Sequence, residues 1–132
     1  MRAIALVFAT SLLTACAGPS GEHMRQLQGE VFYLQRMTLP VDAVLSVSLQ
    51  DVSLADAPSL DLARQQGKVN GQVPLSFRLD YDPALVEPGH SYAVSALIEL
   101  EGKLLFISTE RHSVKLDGSD PQPLRIKLDP VR

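Results

Sequence analysis

The chain has 132 residues, with 12 Lys and Arg against 15 Asp and Glu, for a formal net charge of −3. That mild acidity argues against nucleic-acid binding, which calls for a basic patch, and a single cysteine leaves no intramolecular disulfide to staple a fold. The lack of tryptophan and scarcity of aromatics disfavour deep aromatic ligand cages, and the length suits one domain with one core.

Met1-Arg2 give a short positive start, and Ala3 to Leu13 form an apolar run broken only by Thr10 and Ser11. Leu13-Thr14-Ala15-Cys16 closes the segment with small residues and the cysteine, so residues 1–15 read as a cleaved secretory signal. The run is well short of the ~20 apolar residues that span a bilayer. An ordinary free thiol fits Cys16 poorly, because it is the only cysteine and lies at the cleavage point. The Leu-x-x-Cys ending resembles the lipobox of bacterial lipoproteins. That resemblance implies a diacylglyceryl group on the Cys16 thiol, cleavage before Cys16, and acylation, by palmitate or a similar chain, of the new amine. Two or more acyl chains anchor a protein stably, so the mature chain is expected to sit on a membrane without crossing it. Gram-negative lipoproteins kept in the inner membrane typically carry Asp after the cysteine. Ala17 therefore implies the outer membrane, with the domain on its periplasmic face.

Residues 16–28 are mostly small and polar and read as a lipidated flexible tether. Residues 29–132 read as one domain. Val31 to Leu34 form the first strand segment, and Leu45, Val47 and Leu49 then alternate with Ser46, Ser48 and Gln50. Leu60 to Gln65 is a weaker strand. Val73, Leu75, Phe77, Leu79 and Tyr81 alternate with Pro74, Ser76, Arg78 and Asp80, with Pro74 on an edge strand or at its start. Ser91 to Leu100, Leu104 to Thr109 and the alternating Leu124 to Leu128 complete the set. Asp82-Pro83, Glu87-Pro88-Gly89, Glu101-Gly102, Asp117-Gly118 and Asp120-Pro121 punctuate it as turns. Short strands of period two with regular turns imply an all-β, antiparallel β-sandwich.

Recognisable chemistry is sparse. His23, His90 and His112 are far apart, and Asp51, Asp56 and Asp61 recur at a spacing that no calcium loop uses. The serines lack a nucleophile-elbow context, and no Gly-rich phosphate loop exists. The expectation is a binding protein without enzymatic activity, metal or cofactor.

Two segments, Arg36-Met37-Thr38-Leu39-Pro40 and Asp51-Val52-Ser53-Leu54-Ala55-Asp56-Ala57-Pro58, flank the alternating strand Ala43 to Leu49. With Val73-Pro74-Leu75-Ser76-Phe77 and Tyr92-Ala93-Val94-Ser95-Ala96, they resemble the YbaY/YscW lipoprotein family from about Gly29 onward. Val41-Asp42 departs from it, since a further proline is expected after Pro40. The resemblance implies a pilotin, a lipoprotein that binds the secretin of a type III secretion system and carries it to the outer membrane. The alternative is a stand-alone envelope lipoprotein of the YbaY type that binds a glycan or small ligand. On the residues themselves, a fork-shaped guanidinium suits two carboxylate bonds, so Arg36 is expected to brace the Asp51–Asp56 loop. A solvated arginine beside a polar turn fits equally well.

Glu101-Gly102 reads as a two-residue hairpin loop that pairs Leu100 with Lys103, Ile98 with Leu105 and Ala96 with Ile107. One face then holds Val94, Ala96, Ile98, Leu100, Leu105 and Ile107. The other carries Leu97, Leu104 and Phe106 among Ser95, Glu99 and Ser108. Apolar groups on an outer face call for a cover, either the protein's own loop or a partner. A one-residue bulge at the turn would exchange the sets and leave Leu97, Leu105 and Ile107 outside.

The lipid anchor yields the first prediction. Cys16→Ser abolishes palmitate incorporation and moves the protein out of the membrane fraction, because no other segment is long and apolar enough to hold it there. Membrane pelleting of an unacylated Cys16→Ser protein would contradict the anchor.

Overall fold

The computed structural model describes residues 24–54 and 56–131. The signal segment and Cys16 lie outside the described residues, as do tether residues 16–23. Among the described residues nine strands form: β1 (Arg25–Phe32), β2 (Val44–Asp51), β3 (Leu60–Lys68), β4 (Leu75–Tyr81), β5 (Tyr92–Leu100), β6 (Lys103–Ile107), β7 (His112–Val114), β8 (Leu124–Lys127) and β9 (Asp129–Pro130). One short 3-10 turn, Pro83–Leu85, follows β4, and Asp82 caps it by accepting a hydrogen bond from the Ala84 N–H at 2.9 Å. Among the described residues no helix is long and apolar enough to cross a membrane.

The strands make two sheets. A small one has the order β4-β1-β8, with β1 antiparallel to β4 and parallel to β8. The larger one, antiparallel throughout, runs β3-β2-β5-β6-β9, and β7 also pairs with β5. The alternation seen in the sequence becomes one-sided burial. In β4, Leu75, Phe77, Leu79 and Tyr81 point inward while Ser76, Arg78 and Asp80 face solvent. In β8, Leu124 and Ile126 point inward, and buried Leu128 follows. They meet Val47 and Leu49 of β2 and Val94 and Ile98 of β5 in one shared core, each large side chain contributing roughly 1.5–3 kcal/mol on burial. Pro74 immediately precedes the edge strand β4, where its missing N–H costs no ladder bond.

The start of the domain and the register of the hairpin differ from the sequence reading. Strand β1 begins at Arg25 and so takes in residues 25–28, which had been assigned to the tether. Its early half buries only Leu27, while Arg25, Gln26 and Gln28 are exposed, so the apolar signal there is thin. The second difference concerns the hairpin. Glu101 and Gly102 form the turn with φ of 51° and 80°, the left-handed pair that a tight hairpin requires. Leu100↔Lys103 and Glu99↔Leu104 pair as expected, but the register then shifts, and Ile98 faces Phe106 while Leu97 faces Ile107. Leu105 is the extra residue of a bulge, and it packs against the core.

Phe106 is therefore no surface residue. It is 2 % exposed and stacks on Tyr33, ring centroids 4.3 Å apart and planes 9° from parallel. Burying the ring outweighs the regularity of the ladder, since an aromatic ring removes more apolar area from water than any other side chain here. The Tyr33 hydroxyl donates to the Met37 carbonyl at 2.6 Å, which gives its polar end a partner.

Gly29 sets the distance between the strands of the small sheet. It pairs with Phe77 on one side and Leu124 on the other. A Cβ at this position would lie 2.5 Å from Phe77 Cζ and 2.7 Å from the Leu124 carbonyl oxygen. Gly29→Ala should thus destabilise the fold by about 1–3 kcal/mol through overpacking. Gly67→Ala in β3, where an added Cβ meets nothing within 4 Å, should be neutral or stabilising by up to about 1 kcal/mol. Denaturant midpoints check the pair, and equal midpoints for both would contradict the packing argument.

Candidate functional site

Strand β2 ends at Asp51, and the chain between it and the start of β3 carries two strongly exposed leucines. Leu54 is 73 % and Leu60 69 % exposed. With Pro58, Ser53, Asp51 and His90 they line a mostly apolar groove of about 440 Å³, a size in the range of ligand pockets. Large apolar groups gathered in one exposed depression are the usual mark of a docking surface.

A polar clamp forms one wall. Asp51 Oδ1 accepts the Ser53 N–H at 3.0 Å and the Ser53 hydroxyl, and Asp51 Oδ2 lies 2.6 Å from His90 Nδ1. The other ring nitrogen, Nε2, lies 3.0 Å from Glu87 Oε2. An imidazole can donate from both nitrogens only when protonated, so its place between two carboxylates favours the cation. The hydrogen bond from His90, then those from Ser53, hold Asp51 down at about 2. The bond to Asp51 raises His90 above its ordinary 6.5. The Ser91 N–H donates to Ser53 Oγ at 2.8 Å, the Val52 N–H donates to the Ser91 carbonyl at 2.8 Å, and the Tyr92 hydroxyl accepts the Glu87 N–H at 2.7 Å. The clamp thus ties the chain leaving β2 to the chain entering β5.

Asp51 is at the site, but the partner expected for it is not. Arg36 is exposed and makes no ion pair among the described residues, and Asp56 is exposed too. Arg36 lies in the connection that enters β2, whereas Asp51 is the last residue of that strand and Asp56 lies beyond it. Eight strand residues put roughly 23 Å between those ends, too far for a guanidinium. The connection around Arg36 has a structural part instead. Leu39 is buried, its N–H donates to Gln72 Oε1 at 2.7 Å, and its carbonyl accepts from Gln72 Nε2 at 3.3 Å.

The outer face of the hairpin is less apolar than the sequence suggests. Leu97, Leu104 and Ile107 are half-buried there, and Phe106 has gone to the core. Leu97 and Ile107 border a hollow of about 170 Å³ whose other walls include Ser46, Ser48, Gln50, Arg64 and Ser95. Ser48 and Ser95 bond across it at 3.0 Å. Among the described residues, no three His, Cys, Asp or Glu side chains are grouped to hold a metal ion.

A family model described as type III secretion system lipoprotein chaperone (YscW) matches residues 22–128. The uncharacterized lipoprotein YbaY of Escherichia coli (strain K12) is 46% identical over 83 residues, 62% of this chain. The match spans 44% of that protein, less than half its length. An alternative pilotin from the type II secretion system of Vibrio cholerae has a solved structure that is 43% identical, with a TM-score of 0.77. The likeness covers 83% of this chain and 98% of that one.

The clamp has a definite pH signature. The folded pKa of His90 lies above 6.5, so its contribution to stability is fully present below about pH 6.5 and is lost as pH rises through the folded value. The folded pKa of Asp51 is depressed from 3.8 to about 2, so its contribution is present above 3.8 and is lost as pH falls toward 2. The wild-type Tm should therefore decline on the alkaline side of pH 6.5, and His90→Asn should remove that decline. A parallel decline in His90→Asn would place its source elsewhere.

Proposed function

The chain belongs to the YscW family of lipoprotein chaperones, and from that premise we propose that it is a pilotin that binds a secretin subunit and brings it to the outer membrane. The observation that carries the reading is the likeness to the Vibrio cholerae pilotin, which extends over 98% of that chain. Two parts do the work. Acyl chains on Cys16 hold the protein to the membrane, while the β-sandwich holds the partner. The role is one of binding and delivery, without catalysis.

The groove of Leu54, Pro58 and Leu60 is the surface assigned to the secretin. An amphipathic helix laid into it would bury the two leucines that the free domain leaves in water. The outer hairpin face, with Leu97 and Leu104, is the second surface to be weighed, and Ile107 takes the place once given to Phe106. The family description favours a type III secretin. The 43% identity to a type II pilotin supports a second reading, in which the secretin is of type II.

Co-purification of the lipidated chain with secretin subunits of each system tests the proposal. One secretin should be captured and shifted to outer-membrane fractions. Leu54→Ser with Leu60→Ser should weaken capture about tenfold or more, as expected when interface anchors are removed. Leu97→Asp should leave capture intact. Lost capture by Leu97→Asp at an unchanged denaturant midpoint would move the interface to the hairpin. Capture of neither secretin would overturn the pilotin reading in favour of a stand-alone envelope lipoprotein.

A further inference from the structure

The groove has a charge character that its apolar floor conceals. Asp51 lines it, and Glu87 stands behind His90 on the same wall. Asp56 is exposed in the connection that carries Leu54 and Pro58, whereas Asp61, bonded to Gln50 Nε2 at 3.1 Å, lines the hollow on the outer face of the sheet. Among the described residues no lysine or arginine lines the groove, and His90 is the titratable cation there. Arg64, the nearest guanidinium along β3, lines the hollow on the outer face of the sheet instead.

From this arrangement we propose that the groove accepts a basic amphipathic segment, one whose apolar residues cover Leu54, Pro58 and Leu60 while a lysine or arginine takes a carboxylate of the Asp51–His90–Glu87 clamp. The reasoning is electrostatic. Protonated His90 satisfies both carboxylates at once, through Nδ1 and Nε2. Neutral His90 carries no charge and donates from one nitrogen only, so both carboxylates lose their counter-charge and one of them also loses its donor from the ring. The remaining neighbours of the ring do not replace it: Tyr92, stacked at 6.4 Å, has its hydroxyl engaged by Glu87, and Ser53 bonds Asp51 without carrying charge. A partner cation therefore competes with the imidazolium at low pH and meets a vacant carboxylate at higher pH. Affinity for a basic segment rises as His90 loses its proton, whereas affinity for an acidic one does not.

The inference rests on the pilotin reading only for the identity of the partner, since the preference is a property of the groove. The test uses the lipidated mature chain in nanodiscs of zwitterionic lipid, with binding to empty nanodiscs subtracted. The probes are two helical peptides with leucines at i, i+4 and i+7, one flanked by lysines and the other by glutamates. The lysine peptide should bind more tightly, by about twofold to fivefold for an exposed ion pair, and its advantage should grow from about pH 5.5 to about pH 8 across the histidine range. Glu87→Gln should reduce the advantage, His90→Asn should remove its pH dependence, and Leu54→Ser with Leu60→Ser should abolish binding of both peptides. Equal or better binding of the glutamate peptide, no binding of either, or binding that survives the double leucine change would overturn the proposal. So would a dimer of the chain that the double leucine change dissolves, since the groove would then hold a second copy. A preference for the lysine peptide alongside failed capture of both secretins would keep the groove chemistry and remove the pilotin.

Discussion

The stack of Tyr33 on Phe106 joins the two sheets at one point, and much else follows from the need to make it. Tyr33 continues the chain out of β1 in the small sheet, while Phe106 belongs to β6 in the large one. A perfectly regular hairpin would have aimed Phe106 at solvent. The extra residue at Leu105 changes the parity of β6, which sends the ring inward and leaves Ile107 beside Leu97 on the outer face. One bulge thereby decides both what fills that part of the core and what the sheet shows to its surroundings. Gly29 imposes a second condition from the opposite sheet, holding β1 close enough to Phe77 and to the β8 backbone for the small sheet to close.

How much of this could be read beforehand depended on the range of the physics involved. Strands β2, β4 and β8 declared themselves because alternation is local; burial follows it residue by residue in β4 and β8, and in β2 with the exception of buried Ser46. The first residues of β1 gave no such signal, since only Leu27 among them is buried. Strand β7 is three residues long and β9 two, too short for any period. The hairpin turn was legible from Glu101-Gly102, but the bulge was chosen by contact with Tyr33, which is remote in sequence.

The groove was legible only in fragments. Asp51 was singled out, yet its partner is His90, 39 residues further along, and no spacing rule connects them. The appeal of Arg36 came from charge alone, and a strand length stands between it and the acids. Leu54 and Pro58 read as parts of a connection, and Leu60 as the first residue of a weak strand. Leu54, an apolar residue in a loop with no strand period to explain it, was the available clue. The groove is therefore assembled mainly from residues that lie outside regular strands, whereas the strands fix where those residues meet.

Connectivity gives the groove one more property. Arg25 pairs with Tyr81, where β4 finishes, and the chain then passes through Pro83–Leu85 to His90 and Tyr92, which pairs with Asp51. The first strand therefore begins at the same end of the sandwich that carries the groove. Cys16 stands so few residues before Arg25 that even a fully drawn-out chain of ~3.3–3.6 Å per residue reaches no more than about 30 Å. Acyl chains on Cys16, as proposed, would then keep the groove within a few nanometres of the lipid headgroups. A captured segment would then search a thin layer above the bilayer rather than the depth of the compartment.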